Sequence, residues 1–492
     1  MALPDSFASS IGWNFDNSYR RLPSEAFSPA IPQKVPAPEC VIFNSSLAEE
    51  MGLHFDKTAS EKIALLFSGN EIPHGAEPIA QAYAGHQFGG FNMLGDGRAI
   101  LLGEHLDQSG KRWDIQLKGA GRTPYSRRGD GKAALGPMLR EYLISEAMRA
   151  LGIPTTRSLA VVRTGERIER ATALPGAILT RVAQSHIRVG TFEFFAARED
   201  RVALQKLTDY TIARHYPPLV ESSNRYPLFL KEVIIRQAEL IAQWMLVGFV
   251  HGVMNTDNIS ISGETIDYGP CAFIDLYDPA TVFSSIDHQG RYAYGNQARM
   301  AFWNLSRFAE TLIPLLGETT EEGIAVAEEQ LRRFSSAFEN RWLCGMRQKL
   351  GIANEEKEDR DLFQELLRLM NEQHLDYTET FRLLSRPETQ NHPTFQRSDF
   401  LLWKKKWEVR LSRQSSSQTD SSKSMRRHNP VVIPRNHLLE NSLQEASEKN
   451  DLRAFHRLLE AVTTPYEKRW EGSEFSRPSS EDQSGYQTFC GT

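Results

Sequence analysis

The chain has 492 residues, and its 57 Lys and Arg against 62 Asp and Glu leave a formal net charge of −5. That balance, with a pI near 6.3, argues against a dedicated nucleic-acid binder, which carries a basic face; the 40% hydrophobic content allows a large core in one big domain or in several units. The four cysteines, Cys40, Cys271, Cys344 and Cys490, form no CxxC pair, which removes zinc and thioredoxin-like readings and fits a reducing cytosol.

In chain order, the N-terminus shows neither an apolar signal core nor an Arg-rich transit pattern. Residues 98–119 predict two strands, RAILLGEHL and KRWDIQLKG, joined by a turn at Asp107–Gly110, with Trp113, Ile115 and Leu117 alternating onto one face. Residues 137–151 predict a helix with Pro137 in its first turn and apolar residues on two faces. From about residue 200 the pattern is mostly helical. Leu228–Val250 is apolar all round and predicts a core helix. Its most apolar part, 244–254, is too short to span a bilayer and contains His251. The expected location is therefore the cytoplasm, with no membrane and no nucleic-acid partner.

Further helices are expected at 324–350 and 361–373. Ser412–Ser424, SRQSSSQTDSSKS, has no apolar residue with which to join a core and predicts a disordered linker. Beyond it one helix is expected at Asn436–Ala461, followed by a polar tail. The resulting division is 1–200 as an N-terminal extension with a strand-rich lobe, 201–411 as a helical lobe, 412–424 as the linker, and 425–492 as a C-terminal helix and cysteine-containing tail.

Four groups of residues carry chemistry. Gly95-Asp96-Gly97-Arg98 precedes the first strand of the hairpin, and Arg127–Lys132, with Asp130 and Gly131, follows the second. Glycines let backbone N–H groups approach phosphate oxygens, although GDG is also an ordinary turn. Lys118 ends the second strand, and Glu141 lies on an apolar helix face where a carboxylate needs a cationic partner. A strand lysine held by a helix glutamate is how kinases grip nucleotide phosphates; pairing of Glu141 with a surface arginine is the alternative.

The most specific group starts at His251 and reads HGVMNTDN, then an apparent short hairpin over Ile259–Ile266, then Asp267-Tyr268-Gly269. Kinases show H-R-D-x-x-x-x-N, a hairpin, then D-F-G. Asn258 stands seven residues after His251, as in that motif, and with Asp267 offers two oxygen ligands to a hard cation. The usual catalytic aspartate is replaced by Val253. Asp257 could accept the proton instead, or serve only as a turn residue. Arg181 and Arg188 frame a run containing His186 and are expected on one side of a helix or on a surface strand, where they could neutralise phosphate oxygens.

Together with AGHQFGGFNMLGDGRA, DIQLKGAGRTPYSRRGDGKAAL and DHQGRYAYGNQ, these residues closely resemble the selenoprotein O family over nearly the whole chain. The resemblance implies an α+β, protein-kinase-like bilobal fold with a small strand-rich N-lobe, a larger helical C-lobe and family-specific extensions. It implies a protein adenylyltransferase that binds ATP in a flipped orientation and moves AMP to Ser, Thr or Tyr hydroxyls of other proteins. Carried over by position, Gly95, Gly97, Arg98, Lys118, Asp130, Gly131, Arg181, Arg188 and Asp267 would contact ATP, with Glu141 holding Lys118. Asp257 would be the proton acceptor, and Asn258 and Asp267 the ligands of Mg2+ or Mn2+. The competing expectations are UMP transfer from UTP with manganese, and a nucleotide-gated pseudokinase module without turnover. A monomer is expected. Eukaryotic family members carry selenocysteine near the C-terminus, where this chain has Cys490; two free thiols are the expectation for Cys271 and Cys490, with a redox disulfide between them as the alternative.

Overall fold

The structure, a computed structural model, describes residues 11–386, 392–415, 417–479 and 485–488. Its strands are β1 (Phe27–Pro29), β2 (Glu39–Phe43), β3 (Ile79–Gln81), β4 (Ala84–Gln87), β5 (Gly90–Met93), β6 (Ala99–Leu106), β7 (Arg112–Lys118), β8 (Ala133–Ala134), β9 (Arg157–Glu169) and β10 (Ala173–Ala183). All but β4 and β5 form one antiparallel sheet in the order β1-β3-β6-β7-β10-β9-β2, with β8 paired to β10. The β4–β5 pair is a separate hairpin.

The expected hairpin over 98–119 is the β6–β7 pair, and its alternation builds two unlike faces. Trp113, Ile115 and Leu117 enter an apolar core with Ile100, Leu102 and Ile178. Asp114, Gln116 and Lys118 point to the opposite face, where the register sets Arg181 of β10 against Gln116. The helix that follows, α1 (Leu135–Ala150), covers that face. Leu139, Leu143, Ile144, Ala147 and Met148 are all buried, because other elements pack on both of its apolar faces.

A short helix, α2 (Val189–Ala196), leads from the sheet into the helical lobe, whose central element is α3 (Arg225–Val247). This helix ends three residues before the expected boundary because Gly248 adopts φ 75° and closes it in the left-handed conformation. Phe249–Val250 (β11) then pairs with Ala272–Phe273 (β12). The two strands bracket the segment 251–271 that carries the kinase-like residues.

Several expectations are corrected. Ile259–Ile266 is not a hairpin: Ser260 bridges to Arg188 and Thr265 to Thr155, so the segment pairs with its neighbours rather than with itself. Ile259, Ile261 and Ile266 are all buried, which holds it down on those neighbours. The expected helix at 324–350 is two, Thr320–Leu331 and α4 (Arg333–Lys349), and 361–373 is helical as Asp359–Glu372. After α5 (Tyr377–Leu384), the run expected as a linker contains α6 (Gln418–His428), N-capped by Ser417. Ser422 Oγ donates to the Ser385 carbonyl at 2.6 Å. Met425, buried against Leu350 and Tyr377 among others, anchors the helix; it lies just past the polar run and so escaped that window. Asn436–Ala461 also divides, into α7 (Asn436–Glu448) and α8 (Arg453–Thr463), where Asn450 turns to φ 57°. Both pack on α1.

The architecture is a kinase-like bilobal α+β fold: an antiparallel sheet covered by α1 on one face and by the short helices Ser45–Glu50 and Ser60–Phe67 on the other, beside a larger helical lobe, with the C-terminal helices returning to brace the upper lobe. Among the described residues, no helix is long and apolar enough to cross a membrane.

Candidate active site

A cleft of about 440 Å³ opens between the lobes. Gly97, Arg98, Lys118, Arg181, Arg188, Val253, Asp257, Asn258 and Asp267 all line it, so residues from four separate stretches of sequence converge. A second cavity of about 560 Å³ shares Arg98, Lys118 and Gly269 and continues past Glu141 toward α7.

The sheet register explains the cationic wall. Lys118 Nζ lies 2.7 Å from Glu141 Oε2, as a strand lysine and a helix glutamate should. Arg181 reaches the other oxygen of Glu141 and also Asp267 Oδ1. Lys118 Nζ stands 3.9 Å from Asp267 Oδ1, and Arg188 Nη1 stands 3.5 Å from Asp267 Oδ2. Arg181 and Arg188 share neither a helix nor a surface strand, contrary to expectation. Arg181 is on central β10 and Arg188 is the N-cap residue of α2, and both are buried. The physical reason is the carboxylates: only paired guanidinium groups are tolerated at such depth. His186, between them, donates from Nδ1 to Asp114 Oδ2 at 3.0 Å and lies outside the cleft lining.

This charge network shifts the ionisable groups in opposite directions. Burial alone would raise Asp267, but Arg181, Arg188 and Lys118 hold its carboxyl well below the usual carboxylate range. Burial pushes the Lys118 ammonium down to about 8, with Arg181 adding to the effect and Glu141 opposing it. Asp257 goes the other way. Burial raises it to about 6, with Arg188 opposing.

Asp257 owes its burial to the β4–β5 hairpin. The backbone of Gly85 lies directly over the carboxylate, so that a Cβ there would stand 2.4 Å from Asp257 Oδ1. His86 N donates to Thr256 Oγ1 at 2.7 Å and Phe88 N to Asn255 Oδ1 at 3.0 Å, pinning the hairpin to the segment that carries Asp257. Asp257 Oδ2 receives only a long contact of 3.5 Å from Gln87 Nε2, and Oδ1 has no hydrogen-bond partner among the described residues. Asp257 lines the cleft with a carboxylate that is short of hydrogen-bond donors, the condition of a potential proton acceptor. By contrast His251 is structural: it donates from Nε2 to the Ile266 carbonyl at 2.8 Å and stacks on Trp244.

The donor set suits a hard divalent cation. Asn258 donates from Nδ2 to the Val253 carbonyl at 2.9 Å, which leaves its amide oxygen as the acceptor. Asp267 lines the same cleft and holds φ 62°, a conformation strained for a residue other than glycine and of the kind retained at functional sites. Two oxygen ligands leave room for phosphate and water oxygens, as magnesium prefers.

Three expected contacts lie elsewhere. Gly95, Asp130 and Gly131 do not line the cleft. Gly95 packs under the Tyr125 ring, 2.4 Å from where its Cβ would be, and Asp130 pairs with Arg170 at 2.8 Å. Gly131 adjoins the Gly121 carbonyl, which its Cβ would strike. This loop is tied to the GDG segment, since Thr123 Oγ1 donates to the Asp96 carbonyl and Ser126 Oγ to that of Gly97. Cys271 is a free, buried thiol, pushed up to about 12 first by burial; Cys490 lies outside the described residues. Thr488 does reach this region, donating from Oγ1 to the Pro270 carbonyl at 2.8 Å.

Sequence reasoning missed Asp96 and Tyr83. Asp96 is buried, accepts from Gln81 N at 3.1 Å and stands 3.9 Å from Arg188, whose guanidinium lies over the Tyr83 ring. The aspartate was visible inside GDG, but turn chemistry hid its role as a counter-ion.

Comparison with known proteins identifies the family. Residues 10–463 match the family model described as protein adenylyltransferase SelO. A protein nucleotidyltransferase YdiU from Bacillus cytotoxicus is 56% identical over 481 residues, covering 98% of each chain. One of the same name from Geobacillus kaustophilus is 56% identical over 98% of this chain and 99% of its own. Among solved structures, ROP2 from Toxoplasma gondii, described as having a protein-kinase fold and no enzymatic activity, aligns over 68% of this chain and 88% of its own at 10% identity, with a TM-score of 0.26 too low to carry an argument. The family match and the two close relatives, each spanning nearly all of the chain, are decisive: the chain belongs to the SelO family of protein adenylyltransferases.

Proposed function

We propose that this chain transfers AMP from ATP to Ser, Thr or Tyr hydroxyls of other proteins and releases pyrophosphate. The observation that carries the reading is Asp257, a buried carboxylate with a free oxygen and a pKa raised to about 6, in a cleft whose usual base position is Val253. A γ-phosphoryl transfer centre keeps its base at that position. Here the acceptor stands four residues further along the chain.

In the proposed step the acceptor hydroxyl loses its proton to the Asp257 carboxylate as its oxygen bonds to the α-phosphorus. The bond from the α-phosphorus to the bridging oxygen breaks, and pyrophosphate leaves with that electron pair. Arg98, Lys118, Arg181 and Arg188 face the phosphate chain and stabilise the charge that develops on it; fixed cations of this kind act strongly in a dry cleft. Glu141 keeps Lys118 and Arg181 oriented. Asn258 and Asp267 would hold Mg2+ or Mn2+, which neutralises phosphate charge when bound. Gly97 borders the cleft, whereas Gly95, Asp130 and Gly131 would act by shaping the loops behind Arg98.

The test is label transfer to protein. Label from α-labelled ATP is expected in protein, and label from γ-labelled ATP is not. The reverse pattern would restore ordinary kinase chemistry, and absence of both would leave a binding module. α-Labelled UTP, run alongside with each metal, decides the base and the cation.

A further inference from the structure

Away from the nucleotide cleft, an open pocket of about 310 Å³ is bordered by the C-terminal ends of α1 and α3, by α4, and by the end of α6. The spacing on α4 makes one wall. Arg341, Gly345, Gln348 and Lys349 recur at helical intervals and all line it. Gly345 lets α3 approach so closely that a Cβ there would strike Leu246, at 2.1 Å. On the opposite wall, nothing lies within 4 Å of where a side chain on Gly152 would begin. Arg427 and His428 enter from α6.

The charge of this cavity is one-sided. Among the described residues no Asp or Glu lines it. Among the described residues no carboxylate pairs with Arg341, Lys349 or Arg427, unlike Arg181 and Arg188 of the cleft, which are matched to acids. Lys349 is the decisive residue, because it is only 3% exposed. Its ammonium has two aromatic faces as neighbours, Phe381 at 4.1 Å and Tyr377 at 5.3 Å. Burial pushes it down to about 7. A buried cation without a counter-ion is costly, and a bound anion offsets that cost. Arg341 and Arg427 add the forked donors that suit phosphate oxygens.

We infer that this cavity is a binding site for the phosphate group of a small phosphorylated molecule, held by Arg341, Lys349 and Arg427. It is separate from the nucleotide cleft, with which it shares no lining residue. Its volume exceeds what a bare phosphate fills, so a phosphate monoester fits better than the free ion.

The experiment is thermal denaturation of the full chain titrated with inorganic phosphate or glycerol 3-phosphate, with ionic strength held constant by chloride. A saturable rise in Tm above the chloride control is expected. Arg341→Ala/Arg427→Ala should need at least tenfold more of either probe for the same rise. Lys349→Met, which keeps the length of the side chain and removes its charge, should do likewise, and gives a second reading should the double variant fold poorly. A stronger response to glycerol 3-phosphate assigns an ester, and an equal response assigns free phosphate. No rise above chloride, or the same titration in wild type and both variants, would overturn the proposal. Transfer of label from ATP plays no part in this readout.

Discussion

Asp257 and Glu141 show how one kind of side chain takes opposite roles from its surroundings. Glu141 is surrounded by cations: burial alone would raise it, but Arg181 and then Lys118 bring it below the ordinary range. The stability it contributes is therefore complete above the ordinary carboxylate pKa and is lost as pH falls through its lower folded value. Glu141→Gln should cost about 3 kcal/mol in urea denaturation, because it removes the close partner of buried Lys118 and leaves Asp267 as the one carboxylate for both Lys118 and Arg181. Asp257 has a single distant cation and an orphaned oxygen, so it is suited to chemistry rather than stability. Asp257→Asn should lower single-turnover labelling by about 10²–10⁴-fold, the usual worth of a general base, with ATP affinity by calorimetry little changed. Full labelling in that variant would move the proton acceptor elsewhere. Asp267→Ala should abolish labelling and weaken metal-dependent nucleotide binding together, since it removes the proposed cation ligand and the partner of two arginines.

At the scale of elements, the segment from Phe249 to Phe273 was legible as chemistry and misread as structure. The spacing from His251 singled out Asn258 and Asp267, which the fold brings to one cleft. The hairpin over 259–266 did not form, because alternating isoleucines are satisfied equally by pairing with neighbouring segments. Glu264 belongs to that segment and reports on its packing. It accepts from Ser262 Oγ at 2.8 Å and from Gln184 N at 3.0 Å, yet burial still pushes it up to about 7. A raised folded pKa gives stability that is complete below the unfolded value and lost as pH rises through the folded one. Wild type should therefore lose about 2–3 kcal/mol between pH 4.5 and pH 8 from this group. Glu264→Gln should flatten that part of the pH–stability curve, and an unchanged slope would mean that another group sets it. Arg181 and Arg188 were misplaced for a related reason: sequence spacing cannot distinguish a surface strand from a central one, and only the sheet order puts the strand of Arg181 inside the sheet while Arg188 falls beyond it at a helix start.

For the whole molecule, the C-terminal region is part of the fold rather than an appendage. Val432, Ile433, Leu439, Leu443, Phe455 and Leu458 share a core with Leu139 and Leu143 of α1. Arg435 pairs with Asp376 and Asp275 and joins this region to the end of β12. Deleting 430–492 should leave a chain that aggregates or melts well below wild type, since α1 would lose the partners of one apolar face and Glu141 the rigidity of its helix. A soluble, cooperatively melting truncation would show that α1 stands without them. The sequence by itself determined the β6–β7 hairpin, the α1 helix, the Lys118–Glu141 pair and the spacing of the Asp257, Asn258 and Asp267 cluster. Those rest on local periodicity, on the cost of an unpaired buried charge and on short motif distances. Only the tertiary structure decided that Gly85 closes over Asp257, that Asp96 neutralises Arg188, that a polar serine run is helical, and that Lys349 lies buried without an acid. Each of these depends on which distant segment arrives at a given position, and burial and electrostatics at a residue are set by those arrivals rather than by its neighbours in the chain.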